Sequence, residues 1–252
     1  MRRFFVPLLD QSAQSFTLPA DISHHAATVL RLRPEDTFDL CNGAGLCCRV
    51  ALEDGNTKNA QVRVLEWRTE AETAVPIELL QGMPKGERFD LVLQKNTELG
   101  VSAFLPVYTN RCQGRIGFAK VDKKMQRWGK IVQEAARQSG RSWLPQVEKP
   151  QELESALKGC TAALRLLLWE EAEIELHAAL PDGLDSAAKI ALLVGPEGGL
   201  ARAEVECAAA YGFVPVRFGP RILRTETAGF AAVAVLQYLY GDTGRKAEMK
   251  KI

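Results

Sequence analysis

At 252 residues, with 46% hydrophobic and 25% charged side chains, the chain can bury a sizeable core in one or two domains and is too apolar to be disordered. No run of about 18 apolar residues occurs, so a membrane-spanning helix is excluded. The net charge of +1 conceals a local asymmetry: residues 1–72 carry 8 Lys/Arg against 10 Asp/Glu, residues 73–150 carry 13 against 7, and residues 151–252 carry 11 against 14.

The chain opens on MRRFFVPLLDQS, whose apolar stretch is very short and has no small-residue cleavage site; it does not read as a signal peptide. RRFFV is a short strand-like run closed by Pro7, and a helical stretch is expected near Ser23–Arg31. Thr37–Cys41 alternates and stops at the turn signal Asn42-Gly43; Cys47–Leu52 and Gln61–Trp67 alternate in the same way. These features predict a small, mostly β, barrel-like domain over residues 1–70, followed by a polar, Ala-rich linker at 71–75.

From Pro76 the pattern changes. Strands are expected at Ile77–Gln81, Phe104–Tyr108, Leu164–Trp169, Ile190–Val194 and Val214–Phe218. Helices are expected at Glu87–Leu99, Lys120–Ser139, Ala201–Tyr211 and Glu226–Tyr240, the last with Thr225 as its N-cap. Continuous apolar strands alternating with helices predict an α/β domain with a buried parallel sheet over residues 76–252.

Six cysteines are scattered, at Cys41, Cys47, Cys48, Cys112, Cys160 and Cys207, with no C-x-x-C pair. A zinc site is therefore not expected, and reduced thiols in a cytosolic protein are the simplest reading. The three histidines, His24, His25 and His177, are too dispersed for a metal centre, so no metal is expected.

Most of the positive excess lies between Thr109 and Pro150. A local basic patch on a near-neutral protein suits a polyanion touched by one face, although a solvated helical face accounts for it equally well.

Leu192-Leu-Val-Gly-Pro-Glu-Gly-Gly-Leu200 follows a buried strand and precedes a helix, the place where open α/β sheets bind ligands. Its glycines allow a sharp turn and close backbone approach, and Pro196 stiffens it. No GKS or GKT follows and the spacing is not GxGxxG, so neither a P-loop nor a dinucleotide fingerprint is present. A tight turn with a solvated Glu197 is the plainer alternative. Phe218-Gly-Pro-Arg-Ile-Leu-Arg-Thr-Glu-Thr-Ala228 repeats the strand-turn-helix arrangement. There Ile222 and Leu223 are either pocket lining or core plugs, and Arg224 is either free or a partner for Glu226. Glu134, Gln138 and Arg141 fall three to four residues apart and can share one helical face.

In order and spacing, RRFFV, HHAATVLRLRPED, KNTELGV, the Arg111 loop, EAARQSGR, LLVGPEGGL and FGPRILRTETA resemble the bacterial 16S ribosomal RNA uridine-N3 methyltransferases of the SPOUT class. The match runs from Arg3 to Ala228; GPEGG alone would not separate this subfamily from other SPOUT enzymes. The resemblance implies an N-terminal PUA-like RNA-binding barrel, a C-terminal α/β domain with a trefoil knot, and a homodimer. It also implies S-adenosylmethionine as cofactor, no metal, and a uridine in the decoding region of 16S ribosomal RNA, within the small ribosomal subunit, as target.

Carried over by position, three loops should hold the cofactor. One runs through Leu168, Trp169 and Glu170. The next runs through Val194, Gly195, Pro196, Glu197, Gly198 and Gly199. The third takes in Phe218, Gly219, Ile222, Leu223, Arg224, Thr227 and Ala228. The resemblance makes Arg224 and Arg111 the candidates for the reacting end and Glu226 a candidate base. It places RNA contacts at Arg3, Arg31, Lys95, Lys123, Lys124, Arg127, Gln138 and Arg141. Two other readings compete: a SPOUT methyltransferase acting on another nucleotide, and a non-catalytic RNA-binding assembly protein.

Overall fold

The structure, a computed structural model, describes residues 2–72, 75–185 and 188–244. It separates into two units, one of Met1–Glu72 with Ala136–Leu144 and one of Thr73–Ala135 with Pro145–Ile252. The expected domain boundary was residue 70; the first unit runs to Glu72 and also takes in Ala136–Leu144. The expected linker at 71–75 falls partly outside the described residues.

The first unit is a five-stranded sheet built from β1 (Arg3–Phe5), β2 (Ser15–Thr17), β3 (Thr37–Cys41), β4 (Leu46–Leu52) and β5 (Gln61–Thr69). The order is β1-β3-β4-β5-β2, with β1 parallel to β3 and the other pairs antiparallel. Helix α1 (Ala20–His24) passes into a π-helical turn at His25–Val29, where one long helix was expected. The inward positions of the alternating strands, including Phe38, Leu40, Val50 and Val62, pack with Leu18 and Ala26 in a single core.

Ala136–Leu144 belongs to this unit because the Asn42–Gly45 turn needs it. Gly43 and Ala44 bridge to Trp143, whose indole N–H donates to the Glu70 carbonyl at 2.8 Å. At Gly45, with φ +87°, an added Cβ would sit 2.6 Å from that same carbonyl oxygen, so only glycine fits.

Cys41 and Cys47 lie directly opposite each other across β3 and β4 and are joined as a disulfide, with Cα atoms 4.1 Å apart. The expectation of reduced thiols therefore fails for this pair. Chain pairing, rather than sequence spacing, brought them into register. Cys48 does face the other way, into the apolar core, where burial and the nearby Asp39 push its thiol up to about 11.

A buried charge network runs across the strands of this sheet. Asp39 is fully buried and receives Arg49 at 2.8 Å and Arg68 at 2.6 Å, with Arg3 at 3.7 Å. Glu70 receives Arg68 at 2.8 Å and Arg3 at 3.3 Å. Burial pushes the Glu70 carboxyl up, but the hydrogen bond from Arg68 and the charge of Arg3 outweigh it, leaving the group below its ordinary value.

The second unit holds β6 (Ile77–Gly82), β7 (Val101–Tyr108), β8 (Gln146–Val147), β9 (Gln151–Glu152), β10 (Leu164–Leu168), β11 (Ile190–Val194) and β12 (Val214–Val216). All pairs are parallel, in the order β12-β10-β11-β6-β7-β8, with β9 also on β7. Successive residues of the apolar runs face opposite layers. Leu79, Leu166 and Leu192 meet one core with Phe89, Trp128 and Val233, whereas Leu80, Leu167 and Leu193 meet another with Leu157, Val205 and Phe213. Helices α2 (Arg88–Glu98), α3 (Phe118–Ser139) and α7 (Thr225–Leu239) supply the first layer; α4 (Leu153–Gly159) and α6 (Arg202–Ala210) supply the second. Burial on both faces is why these strands carry no polar alternation. The short α5 (Leu176–Ala179), α4 and β2 carried too little periodicity to be expected.

Removing one member of a buried ion network strands the charges left behind. Asp39→Ala should cost about 3–5 kcal/mol of stability, read as a lowered urea midpoint of the full chain. An unchanged midpoint would show that the arginines are solvated instead.

Candidate functional site

Three strands of the second unit, β10, β11 and β12, end side by side, and each is followed by a loop that leaves the sheet. Together these loops border a cleft of about 1080 Å³. The first brings Leu168, Trp169 and Glu170, and the second Val194, Gly195, Pro196, Glu197 and Gly199. The third brings Phe218, Gly219, Ile222, Leu223 and Arg224, and Thr225 and Ala228 of α7 complete the wall. Of the expected cofactor positions, only Gly198 and Thr227 do not line it. Arg88, Glu175, His177 and Arg217 border it without having been expected.

Local chemistry explains the second loop. Pro196 cannot continue the strand ladder, and Gly199 at φ +69° closes a turn by donating its N–H to the Pro196 carbonyl at 2.9 Å. The Glu197 carboxylate is not free in solvent. It accepts from the Lys85 backbone N–H at 2.9 Å and from Arg88 at 2.6 Å. Burial raises this carboxyl, but hydrogen bonds from its own and the Lys85 backbone, together with Arg88, bring it below its ordinary value.

A Cβ at Gly198 would meet the Cβ of Arg111 at 3.1 Å, so a side chain there would press on the Arg111 loop. Arg111 in turn donates to the Gly198 carbonyl at 2.9 Å. The Arg111 loop is held by Glu204, at 9% exposure, which accepts the Asn110 N–H at 2.7 Å and the Ala201 N–H at 2.8 Å. The sequence reading missed Glu204; its signal was an acidic residue in the first turn of α6.

The third loop runs into α7, and here the structure corrects an expectation. Arg224, not Thr225, is the N-cap. Thr225 has turned its hydroxyl inward, donating to the Gly195 carbonyl and accepting from the buried amide of Gln81 at 2.9 Å. Arg224 is exposed and makes no ion pair with Glu226 among the described residues. Glu226 is buried, its Oε2 has no hydrogen-bond partner, and it does not line the cleft. Ile222 is 87% exposed, so it is no core plug, and it borders the cleft.

The expected RNA contacts divide between the units. Arg3 is buried and spent on Asp39, Glu70 and the Gly140 carbonyl; Arg141 is held by Glu72 at 2.6 Å. These two guanidiniums are structural fasteners of the first unit, whereas Arg31 and Gln138 are exposed. In the second unit Lys95 pairs with Glu98 and Arg127 with Glu87 and Asp90. Lys123 is exposed and Lys124 half-buried on the same helix.

The cleft suits an adenosine-bearing ligand. Val194, Leu223, Ala228 and Phe218 offer apolar surface for a ring, and the glycine turn offers backbone groups for its edges. A family profile described as an RNA methyltransferase domain matches residues 71–237, and one described as an RNA methyltransferase PUA domain matches residues 18–65. The chain is 32% identical to a ribosomal RNA small subunit methyltransferase E of Bacillus subtilis, over 94% of this chain and 96% of that protein. It is 34% identical to its counterpart in Mycobacterium bovis, over 94% and 91%. A ribosomal RNA small subunit methyltransferase E from Neisseria gonorrhoeae, solved with S-adenosylmethionine bound, superposes with TM-score 0.87 at 35% identity, covering 96% of this chain and 99% of that one. A Legionella pneumophila methyltransferase, also solved with that cofactor, gives 0.87 at 33% identity over 95% and 98%.

Because the folded Glu197 lies below its ordinary value, its stabilisation is present above the unfolded value of about 4.3 and is lost as pH falls through the folded one. Glu197→Gln should cost roughly 1 kcal/mol near neutrality, and the gap in melting temperature from the parent should close as pH falls through the lowered folded value. A pH-independent gap would remove the charged hydrogen bonds from the explanation.

Proposed function

We propose a specific reaction for this chain, which belongs to the ribosomal RNA small subunit methyltransferase E family: transfer of a methyl group to N3 of a uridine in the decoding region of 16S ribosomal RNA. The protein is an S-adenosylmethionine-dependent ribosomal RNA methyltransferase with a PUA-like and an α/β methyltransferase domain. The observation that carries the finer reading is the meeting of the GPEGG and RILRTETA loops on one cleft, with the exposed Arg224 at its border.

S-adenosylmethionine supplies an electrophilic methyl group on a sulfonium. The protein's share is to hold the base in line and to favour the charge that spreads over O2 and O4 as the N3 proton leaves. Arg224 suits the second task, because its guanidinium is permanently charged and presents a planar fork of donors. Arg111, engaged with the Gly198 carbonyl, steadies the turn and is the second candidate. A base must come within hydrogen-bond reach of the N3 proton, and Glu226, buried and not bordering the cleft, is a weaker candidate for that role than solvent.

The remaining parts of this reading are a trefoil knot in the C-terminal domain, a homodimer, an assembled-subunit substrate and a cytoplasmic location. The chain path supports the knot: after edge strand β12 it crosses back to place Thr225 beside Gly195, at the end of β11. Exposed Tyr238 and Leu239 of α7 and Leu91 of α2 supply apolar surface for a two-fold interface. Among the described residues no helix is long and apolar enough to cross a membrane. Lys123, exposed, and Lys124, half-buried, are basic side chains of α3 that phosphates would meet in this reading.

Arg224→Lys keeps the charge and loses the fork. Single-turnover methylation of unmodified small subunits should slow on the order of 100-fold, with cofactor affinity little changed. Nucleoside mass analysis of the wild-type product should show N3-methyluridine. Another methylated nucleoside would overturn the assigned target, and a near-normal Arg224→Lys rate would pass the catalytic role to Arg111.

A further inference from the structure

We propose that Gln81 is a positioning residue for the methyl-donor site. Its carboxamide fastens the Gly195 turn to the first residue of α7 and so sets the spacing of two of the loops that border the cleft. The proposal rests on the reading that this cleft holds the cofactor.

Gln81 ends the apolar strand β6 and is fully buried. A primary amide in that setting costs free energy unless its hydrogens find acceptors. Its Nε2 lies 2.9 Å from the Thr225 hydroxyl, 3.1 Å from the Gly82 carbonyl, 3.4 Å from the Gly195 carbonyl and 3.5 Å from the Val194 carbonyl. Three carbonyls cannot donate, so nitrogen and not oxygen must face them. Thr225 extends the chain of donors by giving its own proton to the Gly195 carbonyl. One side chain thereby joins the end of β6, the loop after β11 and the start of α7, which are distant in sequence.

The backbone geometry agrees. A Cβ at Gly82 would stand 2.6 Å from the nitrogen and Cδ of Pro196. The end of β6 and the Gly195 turn are therefore packed backbone against backbone, and Gln81 is the donor at that junction. Gln81 does not border the cleft, whereas Gly195 and Thr225 do. It acts through them.

Gln81→Leu keeps the approximate volume and removes the donors. In the full-length chain, at a temperature where circular dichroism shows the fold intact, calorimetric titration with S-adenosylmethionine should show affinity weakened about tenfold, the scale of one hydrogen bond to a buried group. RNA affinity should stay within about twofold, on the same scale of affinity differences. Thr225→Val should weaken cofactor binding similarly, and the double variant should be little worse than either single one, because both break one relay. A merely structural glutamine would lower the melting temperature without moving the affinity of the folded protein.

Ala228→Trp, which fills the cleft wall without touching the relay, separates the two possible failures. If Gln81→Leu binds normally while Ala228→Trp does not, the cleft stands and the fastener is overturned. If both bind normally, the cleft reading falls and the fastener falls with it. Additive effects of Gln81→Leu and Thr225→Val also overturn it. Should Gln81→Leu fail to fold, Thr225→Val against Thr225→Ser decides: weak binding with valine and normal binding with serine supports the relay, and normal binding with valine overturns it.

Discussion

Where parallel strands end, their last carbonyls lose the neighbouring strand that would have bonded them. If the ends are also buried, each carbonyl costs free energy until some other donor arrives. At the C-terminal edge of this sheet the carbonyls of Gly82, Val194 and Gly195 meet within reach of a single amide, that of Gln81. The turn at Pro196, the inward rotation of Thr225 and the entry angle of α7 all follow from satisfying that cluster. The cleft is then the space left outside the loops that this junction holds down.

A similar economy governs the first unit with the opposite chemistry. Its strands are tied across by charge, with buried Asp39 drawing in Arg49 and Arg68 and Glu70 drawing in Arg3 and Arg68. Arginines that a sequence reading offers to phosphates are consumed here because a buried carboxylate is a stronger demand than a distant polyanion. For Arg3 and Arg141, positive charge in the sequence is therefore not positive charge on the surface, whereas Arg31 remains exposed.

The sequence made the second unit's sheet and the two glycine-rich loops legible because each rests on a local rule. Leu79-Leu80, Leu166-Leu167 and Leu192-Leu193 announce burial on both faces, and Gly-Pro after an apolar run announces a turn. What escaped was whatever depends on partners far along the chain. The attachment of Ala136–Leu144 to the first unit, the pairing of Cys41 with Cys47 and the burial of Arg3 are set by tertiary register. The cap of α7 was misread for the same reason. Threonine is a good N-cap in isolation, but here its hydroxyl has a buried carbonyl to satisfy, and the cap position moves to Arg224. Gln81 was in view as the last residue of an expected strand. Nothing local distinguishes a solvated glutamine from one that three carbonyls require.

These requirements sort the charges around the cleft. Glu197 is occupied by Lys85 and Arg88, Glu204 by two backbone N–H groups, and Glu175 by Arg217. Each of these carboxylates fastens a loop. Arg224 stands exposed at the N-terminus of α7, where the unpaired first-turn N–H groups already favour negative charge. A site so arranged is well suited to receiving a nucleophile that becomes anionic as it reacts. For the proposed uridine this fits the chemistry, because the imide proton is weakly acidic and a fixed cation beside O2 and O4 lowers the cost of its departure.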